Sequence, residues 1–505
     1  MALRSAPRSA PGPASAPAQN SPLFVGQIVD GFLLEERSHQ GGMANLWRVR
    51  RTDSIEARAL IMKVPRLRGD VDATTIVGFE VEQMILPMLT GPHVPAFVSN
   101  GDFTQQPYIV MERIQGESLK ERFDAAPLPI DEVVDIGRKV ATALHDLHRQ
   151  HVIHLDVKPS NIMFRAGLAP ERGEAVLIDF GLSRHNQLPD LLEEEFELPM
   201  GTSPYMSPEQ VQFVRSDPRS DLFALGVMLY HLTTGARPFG APGSVRGLRE
   251  RLYRDPVPPR ALRPDCPPWL QEIILRCLEV KPEKRHQSAA QLAFDLEHPD
   301  QVALTARAQR SQRSSLLRVM RRWFAAIGAE PRAGAPGGSA ATDNPIVLVA
   351  LDIGGSNAAL LDAVRAAVQR VLQTEPGARL ACLAVMKTQR IAIDMPLEKD
   401  GSSKHVNLLV QLKHWARPVL TTLALSKLQL DARVTFHVIE APDPAAAIVD
   451  YARKNQVDHI VMGARSNSVL RRYLGSVSAR VVAESACTVT VVRANGSQPP
   501  TNPPG

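Results

Sequence analysis

At 505 residues, 44% apolar and 22% charged, the chain is too long for one core, so two or three domains are expected. A net charge of only +5 makes no case for a nucleic-acid partner, and none is expected. Four cysteines stand far apart with no CxxC pair, and no apolar run nears 18 residues, which predicts free thiols, no zinc site, no membrane span and a cytoplasmic protein.

Residues 1–23 are rich in Ala, Pro and Ser and read as a disordered tail. Residues 24 to about 114 alternate short apolar runs with turn signals, as a small sheet does. Within them Gly41 and Gly42 sit in a turn where backbone N–H groups can approach phosphates without a Cβ in the way. Leu60-Ile61-Met62-Lys63 reads as a strand ending in a lysine, and a helical segment runs from Val77 until Pro87 ends it. Tyr108-Ile109-Val110-Met111-Glu112 is a further apolar strand. Beyond Gly116 the pattern turns helical, with Val133, Ile136, Val140, Leu144 and Leu147 marking an amphipathic helix over 130–150.

The densest chemistry follows in His154-Leu155-Asp156-Val157-Lys158-Pro159-Ser160-Asn161, and after a short apolar run in Asp179-Phe180-Gly181. Moving a phosphoryl group from ATP to a hydroxyl needs these parts: a carboxylate for the hydroxyl, a fixed cation for the migrating phosphate, and an Asn with a second carboxylate for Mg²⁺. The two motifs resemble the catalytic loop and metal-binding motif of the protein kinase family. The resemblance implies a two-lobed α+β domain over 24–298 that transfers phosphate to protein substrates. By it Asp156, Lys158 and Thr202 are catalytic, Asn161 and Asp179 bind metal, and Lys63 contacts the α/β-phosphates. Gly41 and Gly42 belong to its glycine-rich loop, of whose three usual glycines only Gly41 is kept. Glu82 is the partner of Lys63, with Glu80 as the competing candidate. Met111 is the gatekeeper, and the backbone of Glu112 to Ile114 bonds the base. Glu209, Arg285 and Asp221 are structural, Glu209 pairing with Arg285 and Asp221 tying down the catalytic loop. Lys158, two residues after Asp156, favours Ser or Thr over Tyr as acceptor.

One departure concerns control. Leu155 stands where the family usually has an arginine that receives an activation-loop phosphate. Activity independent of that phosphorylation is the expectation. The rival reading is a pseudokinase scaffold, or a nucleotide-binding stress sensor, without phosphoryl transfer.

Between 299 and 344 comes a basic segment with Arg307, Arg310, Arg313, Arg318, Arg321 and Arg322, then a Pro/Gly/Ala linker. Leu316, Met320, Trp323, Phe324 and Ile327 recur at helical spacing. A basic amphipathic helix over 304–327 is expected, either solvated with one packed face or in contact with a membrane surface or partner.

From Pro345 fully apolar strands alternate with helical patterns, which predicts an α/β domain over 345–494 with a parallel sheet covered on both faces, before a short tail at 495–505. Helices are expected over 358–372, 414–428, 445–455 and 476–485. The run Gly463-Ala464-Arg465-Ser466, followed by Gly475-Ser476 opening a helix, resembles the universal stress protein family. By that resemblance Asp352 and Val385 lie near ribose and base, and Gly463, Gly475 and Ser476 near phosphate. Ser466 replaces a family glycine. A weakened nucleotide site and a ligand-free homodimerising regulatory module both remain open.

Overall fold

The computed structural model describes residues 23–40, 43–53, 59–67, 73–166, 173–196, 199–312, 320, 322–323, 344–387, 404–423, 425, 427–464 and 476–493. A six-stranded antiparallel sheet comes first, in the order Ile28–Val29, Phe32–Gln40, Ala44–Arg51, Leu60–Pro65, Tyr108–Glu112, Phe97–Gly101. The helix Ala73–Ile85 crosses it and buries Ile76, Val77, Phe79, Val81 and Ile85. It starts four residues before the predicted Val77, and Pro87 sits in the 3-10 turn Leu86–Met88 that ends it.

The helical unit that follows packs around Arg219–Thr234, whose Leu222 to Tyr230 are all buried. A helix apolar on every side has to lie inside the unit rather than on its surface. The amphipathic helix Ile130–Arg149 lies against it with Val133, Ile136, Val140 and Leu144 inward, and Ala289–Glu297 packs on the same helix. The strands Ile162–Arg165 and Ala175–Leu177 pair antiparallel and hold the loops between the two lobes.

The predicted basic helix over 304–327 is corrected at its start. Residues 302–312 form turns and coil, not helix. Glu272 is buried, and its carboxylate accepts from Thr305 N, Thr305 Oγ1, Ala308 N and Arg307 Nε. A buried carboxylate has to be satisfied, and the turns at 305–308 supply the N–H donors for it. Arg310 and Arg322 pair with Asp255 at 3.2 and 2.5 Å, so these cations are directed to the chain itself rather than to an anionic surface. Arg313, Arg318, Arg321 and most of the remaining stretch lie outside the described residues.

The C-terminal sheet has five parallel strands in the order Val434–Ala441, Arg379–Lys387, Ile346–Leu351, His459–Gly463, Thr488–Val492. Alternate residues point to opposite faces. Val347, Val349, Leu380 and Cys382 pack under the helices Ala358–Thr374 and Lys404–Leu423. Leu348, Ala350, Ala381 and Leu383 pack under Pro444–Lys454 and Ser476–Glu484. The helical pattern predicted over 414–428 is corrected to two helices, Lys404–Leu423 and Lys427–Arg433. The apolar stripe begins earlier than predicted, at Val406, Leu409, Val410 and Leu412. No helix of the described residues is long and apolar enough to cross a membrane.

Candidate active site

Lys63 leaves the strand Leu60–Pro65 toward the lobe interface. Its Nζ donates to Glu82 Oε2 at 2.5 Å and to Asp179 Oδ1 at 2.8 Å. Of the two glutamates proposed for this pairing, Glu82 makes it, and Glu80 points elsewhere, to Lys413. The helix can bring Glu82 this close because Gly78 meets Gly181: a Cβ at Gly78 would lie 3.0 Å from the Gly181 carbonyl.

Burial alone would pull the Lys63 ammonium down, but the charges of Asp179 and Glu82 outweigh it and raise it. The Lys63 ammonium in turn holds the Asp179 carboxyl down at about 2, against the effect of burial. Burial pushes Glu82 upward. The cation is fixed, and one carboxylate beside it stays ionised at any physiological pH.

Asp156 is the centre of a second web. Its Oδ1 accepts from Thr202 N at 2.9 Å and Thr202 Oγ1 at 2.6 Å. Its Oδ2 accepts from Lys158 Nζ at 2.6 Å and Asn161 Nδ2 at 3.3 Å. Lys158 Nζ also donates to Thr202 Oγ1 at 3.2 Å. Thr202 is brought in by Gly201, whose φ of +131° and close approach to the Leu155 carbonyl leave little room for a side chain.

The loop backbone is held from beneath. Asp221, on the buried helix Arg219–Thr234, accepts from His154 N at 2.9 Å and Leu155 N at 2.8 Å. This holds Leu155 in the left-handed region, with φ of +62°. His148 Nε2 lies 2.9 Å from the same carboxylate. Gln210 Nε2 donates to the Leu155 carbonyl at 2.7 Å, and Ser183 Oγ to the His154 carbonyl at 3.1 Å. Glu209 and Arg285 form a bidentate buried pair at 2.7 Å, joined by Ser220.

A divalent metal fits the donor set. Ile178 N donates to the Asn161 carbonyl at 2.9 Å, which sets Asp179 next to Asn161. Among the described residues no three His, Cys, Asp or Glu side chains cluster to hold a metal by themselves. Two protein oxygens, one from Asn161 and one from Asp179, suit a hard cation that takes its other ligands from phosphates and water.

On and just after the strand Tyr108–Glu112, Met111 is buried, and the Ile114 N–H makes no hydrogen bond among the described residues, while the N–H groups of Glu112 and Arg113 bond Ala96 and Ala59. The Glu112 carboxylate is taken by Arg165 at 2.5 and 3.1 Å, a lock that sequence reading missed because the two residues lie 53 apart. Gly41 and Gly42 lie outside the described residues.

In the C-terminal sheet Asp352, Val385 and Gly463 stand at or near the carboxyl ends of three adjacent strands, where the strand order reverses. Ser476 begins the helix Ser476–Glu484; Gly475 and Ser466 lie outside the described residues.

Comparisons with known proteins agree with this geometry. The family model described as Protein kinase domain matches residues 40–296, and that of the Universal stress protein family matches 344–493. A serine/threonine-protein kinase of Myxococcus xanthus is 32% identical over 395 residues, 75% of this chain and 68% of that protein. The serine/threonine-protein kinase PknL of Mycobacterium tuberculosis is 30% identical over 277 residues, 55% of this chain and 67% of that protein. A probable serine/threonine-protein kinase of Clostridium perfringens is 32% identical over 220 residues, 43% of this chain but only 31% of that protein.

Proposed function

The chain belongs to the protein kinase family and carries a universal stress protein family domain, and from that premise we propose that it transfers the ATP γ-phosphate to serine or threonine hydroxyls of proteins. One observation supports this reading above the rest. Lys63, Glu82 and Asp179 form one assembled cluster, and Asp156, Lys158, Asn161 and Thr202 form the adjoining one.

Asp156 orients the acceptor hydroxyl and takes its proton. Lys158, 2.6 Å from that carboxylate, steadies the transferring phosphate. Lys63 positions the α- and β-phosphates, and the Ile114 N–H receives the base. Asn161 and Asp179 would hold Mg²⁺, which supplies charge neutralisation on the phosphates. The scaffold reading gains no observation of its own, since these reacting groups are all present and mutually bonded.

The C-terminal crevice at Asp352, Val385, Gly463 and Ser476 is a second, weaker nucleotide site on the same reading. Among the described residues the sheet's last strand, Thr488–Val492, has a neighbour on one side only and offers an edge for pairing two copies, which sedimentation would detect. Labelled phosphate transfer from ATP to the chain itself and to a basic test protein tests the function. Phosphoserine or phosphothreonine that vanishes when the metal is chelated is the expected product. No transfer, or transfer to tyrosine alone, contradicts the proposal.

A further inference from the structure

The C-terminal domain grips two elements of the kinase. The first is the helix Ala73–Ile85 that carries Glu82. Its Glu80, buried, is bonded by Lys413 of the helix Lys404–Leu423. The Lys413 ammonium also lies 5.0 Å from the Phe103 ring centroid on the kinase side and 5.5 Å from that of Phe436 on the C-terminal sheet. The second element is the short helix Leu191–Glu195 between Asp179 and Thr202. Arg379 donates to both Glu194 oxygens at 2.6 and 2.7 Å. His437 lies 3.1 Å from Glu194 and 2.9 Å from Glu195, and Tyr451 Oη donates to Glu194 at 3.2 Å. These six charged groups and Tyr451 are buried or nearly so. Within the kinase, Arg215 and Arg184 face Asp190, and Arg184 also faces Glu193, on the near side of the same segment.

Kinases commonly order this segment by adding a phosphate opposite a cation of the catalytic loop. Here Leu155 replaces that cation and is itself buried. Carboxylates built into the sequence stand in for the phosphate, and the cations come from another domain. We propose that the C-terminal domain is an activating clamp, which through Lys413–Glu80 and through Arg379 and His437 on Glu194 and Glu195 holds the helix 73–85 and the activation segment in the transfer-competent arrangement. In that arrangement Glu82 reaches Lys63 at 2.5 Å and Thr202 reaches Asp156 at 2.6 Å. Whatever moves the C-terminal sheet therefore bears on catalysis through a rigid helix two residues from Glu82. The inference rests on the kinase reading above.

At His437 and Glu194 the charge states favour the clamp near neutral pH. Burial pulls His437 down, but its bonds to Glu194 and Glu195 outweigh this and raise it to about 9. Burial would raise Glu194, but Arg379 and His437 bring it to about 2. Burial raises Glu195 to about 7, against His437.

The test uses the full chain and its Glu80–Lys413 pair. Glu80→Lys and Lys413→Glu are made singly and together, with Lys413→Met as the milder variant that keeps the stem over Phe103 and Phe436. Each single change should lower kcat about tenfold, the usual size of a coupling between sites. Hydrogen exchange should rise over 73–85 and 191–195. The double reversal should restore both readouts. Single variants that keep the wild-type kcat, or exceed it, overturn the clamp, the latter by making the interface a restraint. A wild-type chain that transfers no phosphate defeats the kinase reading instead. Exchange alone then judges the clamp, and unchanged protection in Lys413→Met sinks it.

Discussion

Two regions of the molecule set carboxylates against cations, and they differ in where the partners come from. At the catalytic loop Asp156 meets Lys158, Asn161 and Thr202, all within 46 residues. At the seam between the domains Glu194 meets Arg379 and His437 from 185 and 243 residues away. The first cluster is a short-range motif on a rigid support and, as proposed, carries the transfer. The second exists only when the whole chain is folded, so it can report the state of one domain to the other. Proximity in sequence buys the first its certainty, and distance gives the second its capacity for control.

The largest effect separating the two is expected at Asp179. Asp179→Asn should abolish metal-dependent transfer while circular dichroism shows a folded chain, since the amide keeps the shape of the side chain and an oxygen for Lys63. A variant that still transfers phosphate would remove Asp179 from the metal site.

Next comes the scaffold beneath the first region. Glu209 is buried and its only cationic partner among the described residues is Arg285. Arg285→Ala should cost about 3–5 kcal/mol in denaturant unfolding, the usual result of stranding a buried charge. A loss below about 1 kcal/mol would place the pair among the weak surface bridges.

The comparison sharpens further with dephosphorylation. If the Glu194 and Glu195 carboxylates replace an activating phosphate, phosphatase treatment should leave the initial rate unchanged, with mass spectrometry confirming an unmodified 182–207 segment. A large drop would mean that another cation receives a phosphate there.

A smaller effect is expected from pH. His437 has a raised folded value, so its contribution to stability is complete below about 6.5 and lost as pH rises through about 9. Glu195, also raised, acts in the same direction between about 4.5 and 7. The difference in urea midpoint between the wild type and His437→Gln should therefore narrow from pH 6.5 to 9. A difference that stays constant would show His437 neutral at the seam.

The smallest effect concerns the second crevice. Titration of the full chain with ATP should fill one site tightly and a second weakly, and Ser466→Gly should leave the second unchanged or strengthen it. Two equally tight sites would contradict the weakened reading.

Much of the first region was legible in the sequence, because its residues keep fixed spacings around tight turns. Asp156 to Asn161 is one loop, and Asp179 follows one short strand. The choice between Glu80 and Glu82 was not legible, since both lie on one helix and only the approach of Gly78 to Gly181 decides which reaches Lys63. Arg165 on Glu112 was hidden because the partners come from separate strands. The clamp was out of reach altogether. Nothing in the spacing of Glu194, Glu195, Arg379 and His437 ties them together, and only the meeting of the two domains pairs them. The basic segment misled for a related reason: its helical spacing begins only at Leu316, and at 302–312 the backbone is set by buried Glu272, a partner distant in sequence.

The most direct measurement is the rate of labelled phosphate transfer by the full chain and by Asp156→Ala, with metal and ATP saturating. The account predicts Ser/Thr transfer by the wild type and a fall of about 10²–10⁴ in the variant, the usual worth of a positioned base. Equal rates in the two chains would contradict it.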